Sequence, residues 1–163
     1  KNYRSIMSTN FGIGFDTHRL KKYGELIIGG VIINNEYSLV GDSDGDVLIH
    51  AIIDSLLGAA GLGDIGHYFN KNNNPKSSLK MLKKINDLLI NNNFSINYID
   101  STVVCEQFSI KEYSQEMKNE ISLVLSINPM QINIKGKSTD GLGFLGENKG
   151  IAALAISSLL KDN

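Results

Sequence analysis

Three side chains have the types and the spacing of ligands to one metal ion. Asp16 and His18 follow a predicted strand two residues apart, so in extended chain both project to one side, about 7 Å apart. His50 shares one stripe of an otherwise apolar predicted helix with Asp46 and Asp54. Polar groups buried there need partners. Asp16, His18 and His50 form a His₂-carboxylate set with one tetrahedral position open, which is typical of catalytic zinc. The alternative is a core histidine hydrogen-bonded to a carboxylate without metal.

Two further segments carry polar groups suited to a phosphorylated or hydroxylated ligand. Residues 135–150 contain lysines, hydroxyls and Asp140 followed by glycines, which suits a phosphate and a hard cation such as Mg²⁺. The alternative for this segment is a polar strand end and a flexible loop. Asp64 lies among glycines and is suited to bind sugar hydroxyls. Asp54 is suited to accept a hydrogen bond from the N–H of a metal-binding histidine or to contact the substrate. P-loop spacing is absent, and the glycines at 12 and 14 lack the rest of a dinucleotide fingerprint.

The elements that must position these residues alternate between strands and helices. The patterns predict strands at 11–15, 26–33 (interrupted by glycines at 29 and 30), 95–105 and 130–137, and helices at 46–62, 78–90, 109–126 and 150–161. Ser78 is the expected N-cap of its helix, and Glu147 or Asn148 that of the last one. Such alternation predicts an α/β or α+β fold with helices on one face of a sheet.

Length and composition limit the class of protein. The chain has 163 residues, which fits a single domain over residues 1–163. Its formal net charge of −1 gives no global attraction for nucleic acid or anionic membrane. Its single cysteine excludes an intrachain disulfide and a cysteine-rich zinc site. No apolar run approaches the roughly 18 residues of a membrane span.

Five stretches match one family's motifs. They are Gly-Phe-Asp-Thr-His-Arg at 14–19, Gly-Gly-Val at 29–31, Ser-Asp-Gly-Asp-Val-Leu-Ile-His-Ala at 43–51, the block at 54–66 and Gly-Phe-Leu-Gly-Glu-Asn-Lys-Gly-Ile-Ala-Ala at 143–153. From residue 12 to about residue 160 the chain resembles the 2-C-methyl-D-erythritol 2,4-cyclodiphosphate synthases. The resemblance implies an α+β fold, a mixed sheet with helices on one face, in a homotrimer with active sites between subunits.

The resemblance also implies a reaction and its cofactors. The 2-phosphate of 4-diphosphocytidyl-2-C-methyl-D-erythritol 2-phosphate attacks the β-phosphorus, CMP leaves, and the cyclodiphosphate closes, in non-mevalonate isoprenoid biosynthesis. Zn²⁺ would be held by Asp16, His18 and His50, and Mg²⁺ (or Mn²⁺) by Asp140. The alternatives are a zinc phosphohydrolase, in which a metal-bound water attacks, and a non-catalytic metal- or nucleotide-binding trimer.

Other site residues follow from the same resemblance. The expected catalytic residues are Asp46, Ser138 and Asp140. The expected contacts with the substrate, including its cytidine, are Ser43, Asp64, Ile65, Gly66, Phe69, Cys105, Phe108, Ile110, Lys111, Lys137 and Thr139.

Several positions depart from the family pattern. Asp42 replaces a histidine and Asp140 a glutamate, and Phe-Ser at 108–109 replaces Pro-Lys. The loop at 69–75 is shortened and rich in asparagine, with Lys71 or Lys76 available to supply a charge. The Gly-Glu-Asn at 146–148 and a bias towards Asn, Ile and Lys lead us to expect a plastid-type (apicoplast) member in the stroma, its targeting segment removed. A bacterial cytoplasmic enzyme is the alternative.

Overall fold

Seven strands and five helices form within the residues that the structure describes, which are 8–70, 72 and 75–161 of a computed structural model. The strands are β1 (Ser8–Lys22), β2 (Leu26–Ile28), β3 (Val31–Asn34), β4 (Tyr37–Leu39), β5 (Phe94–Val104), β6 (Ile132–Lys137) and β7 (Gly150–Lys161). The helices are α1 (Val47–Ala60), α2 (Ile65–Tyr68), α3 (Ser78–Asn91), α4 (Ile110–Leu125) and α5 (Gly143–Gly146). A 3₁₀ turn at Pro129–Gln131 precedes β6.

Five of the strands form one mixed sheet in the order β4-β1-β7-β5-β6. β1 pairs antiparallel with β4 and β7, β7 pairs antiparallel with β5, and β5 pairs parallel with β6. The two remaining strands, β2 and β3, form a separate hairpin. Its turn is Gly29-Gly30, both in left-handed conformations that favour glycine. The mixed sheet confirms the expected α+β class.

The segment at 150–161 is a strand, so the prediction of a final helix there was wrong. β7 lies in the middle of the sheet, with its inner side chains beneath α1. A central strand that is apolar on both faces loses the polar alternation by which strands are recognised, and its alanines favour a helix by propensity. The expected cap role of Glu147 or Asn148 disappears with that helix, and Asn148 instead turns the chain at a positive φ of 57°.

Helix α1 packs unusually close to the sheet because β1 has glycines beneath it. A Cβ on Gly12 would lie 2.0 Å from the carbonyl oxygen of Ser55, and one on Gly14 would lie 1.9 Å from that of Ala51. The two glycines therefore remove the side chains that would hold helix and strand apart. With α3 and α4 also on this side, almost all of α1 is buried.

The opposite face of the sheet is apolar and uncovered in the single chain. Large apolar side chains alternate outwards along β1 and β7, and 40–70% of each remains exposed. They are Phe11, Ile13, Phe15, Leu154 and Ile156. A contiguous apolar sheet face of this kind marks an interaction surface.

The other predicted elements are present, with somewhat different bounds, and three short elements were missed. The predicted helices at 46–62, 78–90 and 109–126 are α1, α3 and α4. The predicted strands at 95–105 and 130–137 are β5 and β6. The strand predicted at 26–33 is the β2–β3 hairpin, β1 is longer than expected, and β4, α2 and α5 were not predicted. None of the described helices is both long and apolar enough to cross a bilayer.

Candidate active site

Asp16, His18 and His50 converge on one point, as the sequence predicted. His18 Nε2 lies 2.8 Å from Asp16 Oδ2, His50 Nδ1 lies 3.0 Å from the same oxygen, and the two ring nitrogens are 3.2 Å apart. This is the only group of three or more potential metal ligands found among the described residues. The side chains are 27%, 19% and 11% exposed, so the cluster opens to solvent on one side.

The pleat of β1 and the first turn of α1 bring these groups together. Even-numbered residues of β1 face α1, so Asp16 and His18 continue the row begun by Gly12 and Gly14. His50 lies in the first turn of α1, next to the residue whose carbonyl approaches Gly14. The close packing of α1 on β1 thus sets the distance between the ligands.

His18 is held in the tautomer that metal binding requires. Its Nδ1 lies 2.6 Å from the Val40 carbonyl oxygen, which only accepts, so Nδ1–H is the donor. The Nε2 lone pair then faces Asp16 and His50. A Cβ on Gly41 would lie 3.2 Å from Cε1 of His18, so the absence of a side chain there leaves room for the ring.

The charges of the cluster also suit a cation. Burial raises the pKa of Asp16, but hydrogen bonds to His18 and His50 and their positive potential outweigh it and hold the pKa well below its usual range. The hydrogen bond to Asp16 raises the pKa of His18 against the effect of burial. Asp16 is therefore ionised, and one carboxylate with two imidazoles is a donor set that fits Zn²⁺.

Asp46 is not placed where a substrate can reach it. The side chain is fully buried, and it caps α1 by accepting from Ile49 N. It also accepts from Gly29 N at 2.9 Å and Gly30 N at 2.7 Å. The expected catalytic role is corrected here: Asp46 fixes the β2–β3 turn to the start of α1, the helix that carries His50.

The loop at 64–66 is anchored from the third turn of α1. Asp54 Oδ1 accepts a hydrogen bond from Ile65 N at 2.8 Å. This carboxylate oxygen therefore binds the backbone of the loop and not the N–H of a metal-binding histidine. Asp64 caps α2 through His67 N, and both Asp64 and Gly66 are exposed. Phe69, expected against the substrate, is 9% exposed and belongs to the core. Lys76 is exposed, whereas Lys71 lies outside the described residues.

A second part of the site is a cavity of about 220 Å³ where β5 and β6 end. It brings together six of the residues predicted from the sequence: Cys105, Phe108, Ile110, Lys111, Lys137 and Ser138. Phe108 packs edge-on against Tyr37, with ring centroids 5.5 Å apart. Burial raises the pKa of the Cys105 thiol, so this group is a wall of the cavity and not a nucleophile.

Glu106, which the sequence did not single out, fixes the loop after β6. Its carboxylate accepts from Thr139 N at 2.9 Å and from Gly141 N at 3.2 Å. Asp140, between those two residues, is exposed at a positive φ of 53°, and Ser138 Oγ donates to its Oδ1 at 3.3 Å. The Thr139 hydroxyl donates to the Leu142 carbonyl at 2.8 Å. Nothing in the local pattern predicts this use of Glu106.

The two parts of the site share one end of the sheet. Thr17 pairs with Ala152, Ala152 with Val104, and Val104 with Lys137. These paired residues run straight across the sheet from β1 to β6, a distance of three spacings between neighbouring strands. The metal cluster and the cavity therefore lie roughly 14 Å apart in the plane of the sheet.

The comparisons with known proteins agree with this geometry. A family model described as the YgbB family matches residues 9–160. The chain belongs to the YgbB family. A relative from Caldicellulosiruptor bescii named 2-C-methyl-D-erythritol 2,4-cyclodiphosphate synthase is 50% identical over 148 residues, which cover 89% of this chain and 94% of that protein.

Two solved structures extend the likeness of this YgbB-family chain to the fold. Bifunctional IspDF from Campylobacter jejuni matches with a TM-score of 0.92 and 33% identity over 96% of this chain, which spans only 43% of that protein. The CDP complex of IspF from Plasmodium falciparum matches with a TM-score of 0.85 and 35% identity, covering 95% of this chain and 97% of that one.

The expectation of a plastid-type member finds no support in these comparisons. The bacterial relative is 50% identical, whereas the Plasmodium falciparum structure is 35% identical. A bias towards Asn, Ile and Lys reports codon composition, which bacteria share, and carries no information about a compartment.

Proposed function

We propose that the chain is a 2-C-methyl-D-erythritol 2,4-cyclodiphosphate synthase, a phosphorus–oxygen lyase of non-mevalonate isoprenoid biosynthesis. It converts 4-diphosphocytidyl-2-C-methyl-D-erythritol 2-phosphate into the cyclodiphosphate and CMP. The observation that carries the proposal is that the cluster of Asp16, His18 and His50 and the cavity near Cys105 lie at the same end of the sheet. The 50% identity with a synthase of this name supports the same conclusion.

The reaction makes few demands for acid–base groups. An oxygen of the 2-phosphate is already anionic, so it forms the new P–O bond without losing a proton. The β-phosphorus–oxygen bond to CMP breaks, and the leaving phosphate keeps the bonding electrons. The barrier lies in bringing polyanionic groups together, so positioning and charge neutralisation dominate. This agrees with a site whose described residues offer carboxylates, imidazoles and backbone amides but no activated serine or cysteine.

We assign the metal positions from the donor sets. Asp16, His18 and His50 would hold Zn²⁺, and the exposed Asp140 would hold Mg²⁺ or Mn²⁺ with Ser138 beside it. When bound, the two cations supply Lewis-acid neutralisation of the diphosphate.

The substrate contacts divide between the two parts of the site. Ser43 lies beside His50, where the 2-phosphate would approach, with its Oγ 3.3 Å from His50 Nε2. The loop formed by Asp64, Ile65 and Gly66 presents exposed polar groups to the erythritol hydroxyls. The cavity residues would hold the cytidine: Cys105, Phe108, Ile110 and Lys111. The diphosphate would lie along Lys137, Ser138 and Thr139, with the Thr139 amide occupied by Glu106.

We further propose that three copies assemble through the apolar face of β1 and β7. The cavity at the ends of β5 and β6 holds about 220 Å³, below the roughly 300–1,000 Å³ of a complete small-molecule pocket, so a neighbouring subunit would complete it. Analytical ultracentrifugation tests this, with a trimer expected. A charge introduced by Ile13→Glu, on the exposed face, is expected to dissociate it.

The bacterial alternative for localisation, the cytoplasm, is the one we adopt. The identities with bacterial relatives support it. Fractionation of the native organism, with detection of the chain by antibody, provides the test.

The decisive experiment follows the phosphorus atoms. Purified protein is incubated with the substrate, Zn²⁺ and Mg²⁺, and ³¹P NMR is expected to show CMP and the cyclodiphosphate appearing together. Hydrolysis to an uncyclised phosphate would indicate the phosphohydrolase instead. A zinc-loaded trimer that releases no CMP would indicate the non-catalytic alternative.

A further inference from the structure

The two ring nitrogens of His50 face different partners. Nδ1 points at the metal cluster, 3.0 Å from Asp16 Oδ2. Nε2 points away from it, 2.9 Å from the hydroxyl oxygen of Ser78 and 3.3 Å from that of Ser43. A neutral imidazole carries one proton, and the nitrogen that binds a metal must be the bare one. A hydrogen-bond partner that keeps the His50 proton on Nε2 therefore leaves the Nδ1 lone pair free to bind a metal.

Asp44 determines where the hydroxyl proton of Ser78 goes. The hydroxyl donates to Asp44 Oδ1 in a very short contact, and Ser78 N donates to Asp44 Oδ2 at 2.8 Å. An ionised carboxylate only accepts, so the single hydroxyl proton of Ser78 is committed to it. The Ser78 oxygen then presents lone pairs to His50, and His50 Nε2 must be the donor.

The arrangement is more than the cap of a helix. Ser77, not Ser78, occupies the N-cap position of α3, and it makes no side-chain cap hydrogen bond. The Ser78 backbone N–H already ties α3 to Asp44, so the hydroxyl is not needed for that link. The hydroxyl is fully buried, and among the described residues its hydrogen bonds are with Asp44 and His50.

We propose that Asp44 and Ser78 are positioning residues that hold the His50 proton on Nε2 and thereby present Nδ1 to the metal. This chain of contacts joins three separate parts of the fold: the turn before α1, α1 itself and the first residue of α3. Removal of such outer partners typically costs 10–100-fold in metal affinity. The inference rests on the proposed function only in taking the cluster as a metal site.

The test compares Ser78→Ala with Ser77→Ala, the neighbouring serine without a side-chain cap bond. Zn²⁺ affinity is measured by competition with a chromophoric chelator, and the ring nitrogens of His50 are observed by ¹⁵N NMR. Ser78→Ala is expected to bind Zn²⁺ at least about 10-fold more weakly. Its His50 nitrogen shifts should change, and its thermal midpoint should stay close to that of wild type. Ser77→Ala should match wild type in both measurements.

Asp44→Ala supplies a second arm, because it removes the carboxylate that accepts the Ser78 hydroxyl proton, and weaker Zn²⁺ binding is again expected. Wild-type affinity together with unchanged His50 shifts in Ser78→Ala would overturn the inference. A wild-type protein that binds no Zn²⁺ would overturn the metal site itself.

Discussion

Replacing Gly14 by alanine should damage the fold and the metal cluster together. The new Cβ would lie 1.9 Å from the Ala51 carbonyl oxygen and 2.7 Å from Ser55 N, both of them backbone atoms of α1. Since ordinary contacts lie near 3.5 Å, helix and strand must separate by roughly 1.5 Å. Overpacking of this kind costs about 1–3 kcal/mol, and the upper end is expected here because no flexible side chain can move aside.

The same displacement acts on the ligands. Asp16 follows Gly14 by two residues on β1, and His50 directly precedes Ala51 on α1. Metal sites tolerate distance errors of only about 0.2 Å, so a shift several times larger should weaken Zn²⁺ binding by at least about 10-fold. Urea unfolding followed by circular dichroism gives the free energy of unfolding, and chelator competition gives the affinity.

Gly58→Ala is the matched control within α1. A Cβ there meets nothing closer than 3.7 Å, and alanine favours a helix over glycine, so this variant should gain up to about 1 kcal/mol and keep its metal. If Gly14→Ala unfolds within about 0.5 kcal/mol of wild type and binds Zn²⁺ normally, the close approach of α1 to β1 does not set the ligand geometry.

Four other outcomes are expected. His50→Ala should abolish CMP release and weaken Zn²⁺ binding, since two ligands hold the ion poorly; full occupancy with normal turnover would exclude it as a ligand. Glu106→Ala should free the Thr139 loop and raise KM for the substrate several-fold, with unfolding in urea little changed, as steady-state kinetics and denaturation would show. Burial raises the pKa of Asp46 to about 6, so its contribution to stability is full below about pH 4 and is lost as pH rises through 6. Urea midpoints between pH 4.5 and 7 should show that decline in wild type and less of it in Asp46→Asn. Asp42 is exposed, and Asp42→His should leave turnover equal or higher, whereas a large loss would show that the carboxylate is used.

The metal cluster was predictable because its signals are local. Two residues that are two positions apart on a strand lie on the same face, which brings Asp16 and His18 together. A histidine on an otherwise apolar helix needs a polar partner, which points to His50 as the third member. The same stripe also contained Asp46, whose expected catalytic role came from the family resemblance and whose side chain is fully buried. Spacing fixes the face of a helix but not the depth, and the depth of Asp46 is set by a turn at Gly29-Gly30 that comes from elsewhere in the chain.

The parts that escaped prediction depend on distant partners. β7 is apolar on both faces: α1 covers one face, and the other belongs to the exposed apolar face of the sheet. No local sequence pattern distinguishes such a strand from a buried helix. Glu106 and Ser78 have these roles only because the end of β6 lies beside Glu106 and the start of α1 lies beside Ser78. In the sequence Ser78 was interpreted as the N-cap of a helix, and that interpretation gave no reason to expect its contact with His50.

The pairing of β1 with β7 has a consequence for biosynthesis. The long strand β1 needs a neighbour that the ribosome makes much later, since Arg19 pairs with Gly150, more than 130 residues further along the chain. Until then Asp16 and His18 lie on a strand whose only partner in the sheet is β4, and this pair is not connected to β5 and β6. Such long-range closure slows folding, and it leaves apolar strand edges open during translation. The strand that carries Asp16 and His18 therefore gains its place in the sheet only after β7 has emerged from the ribosome.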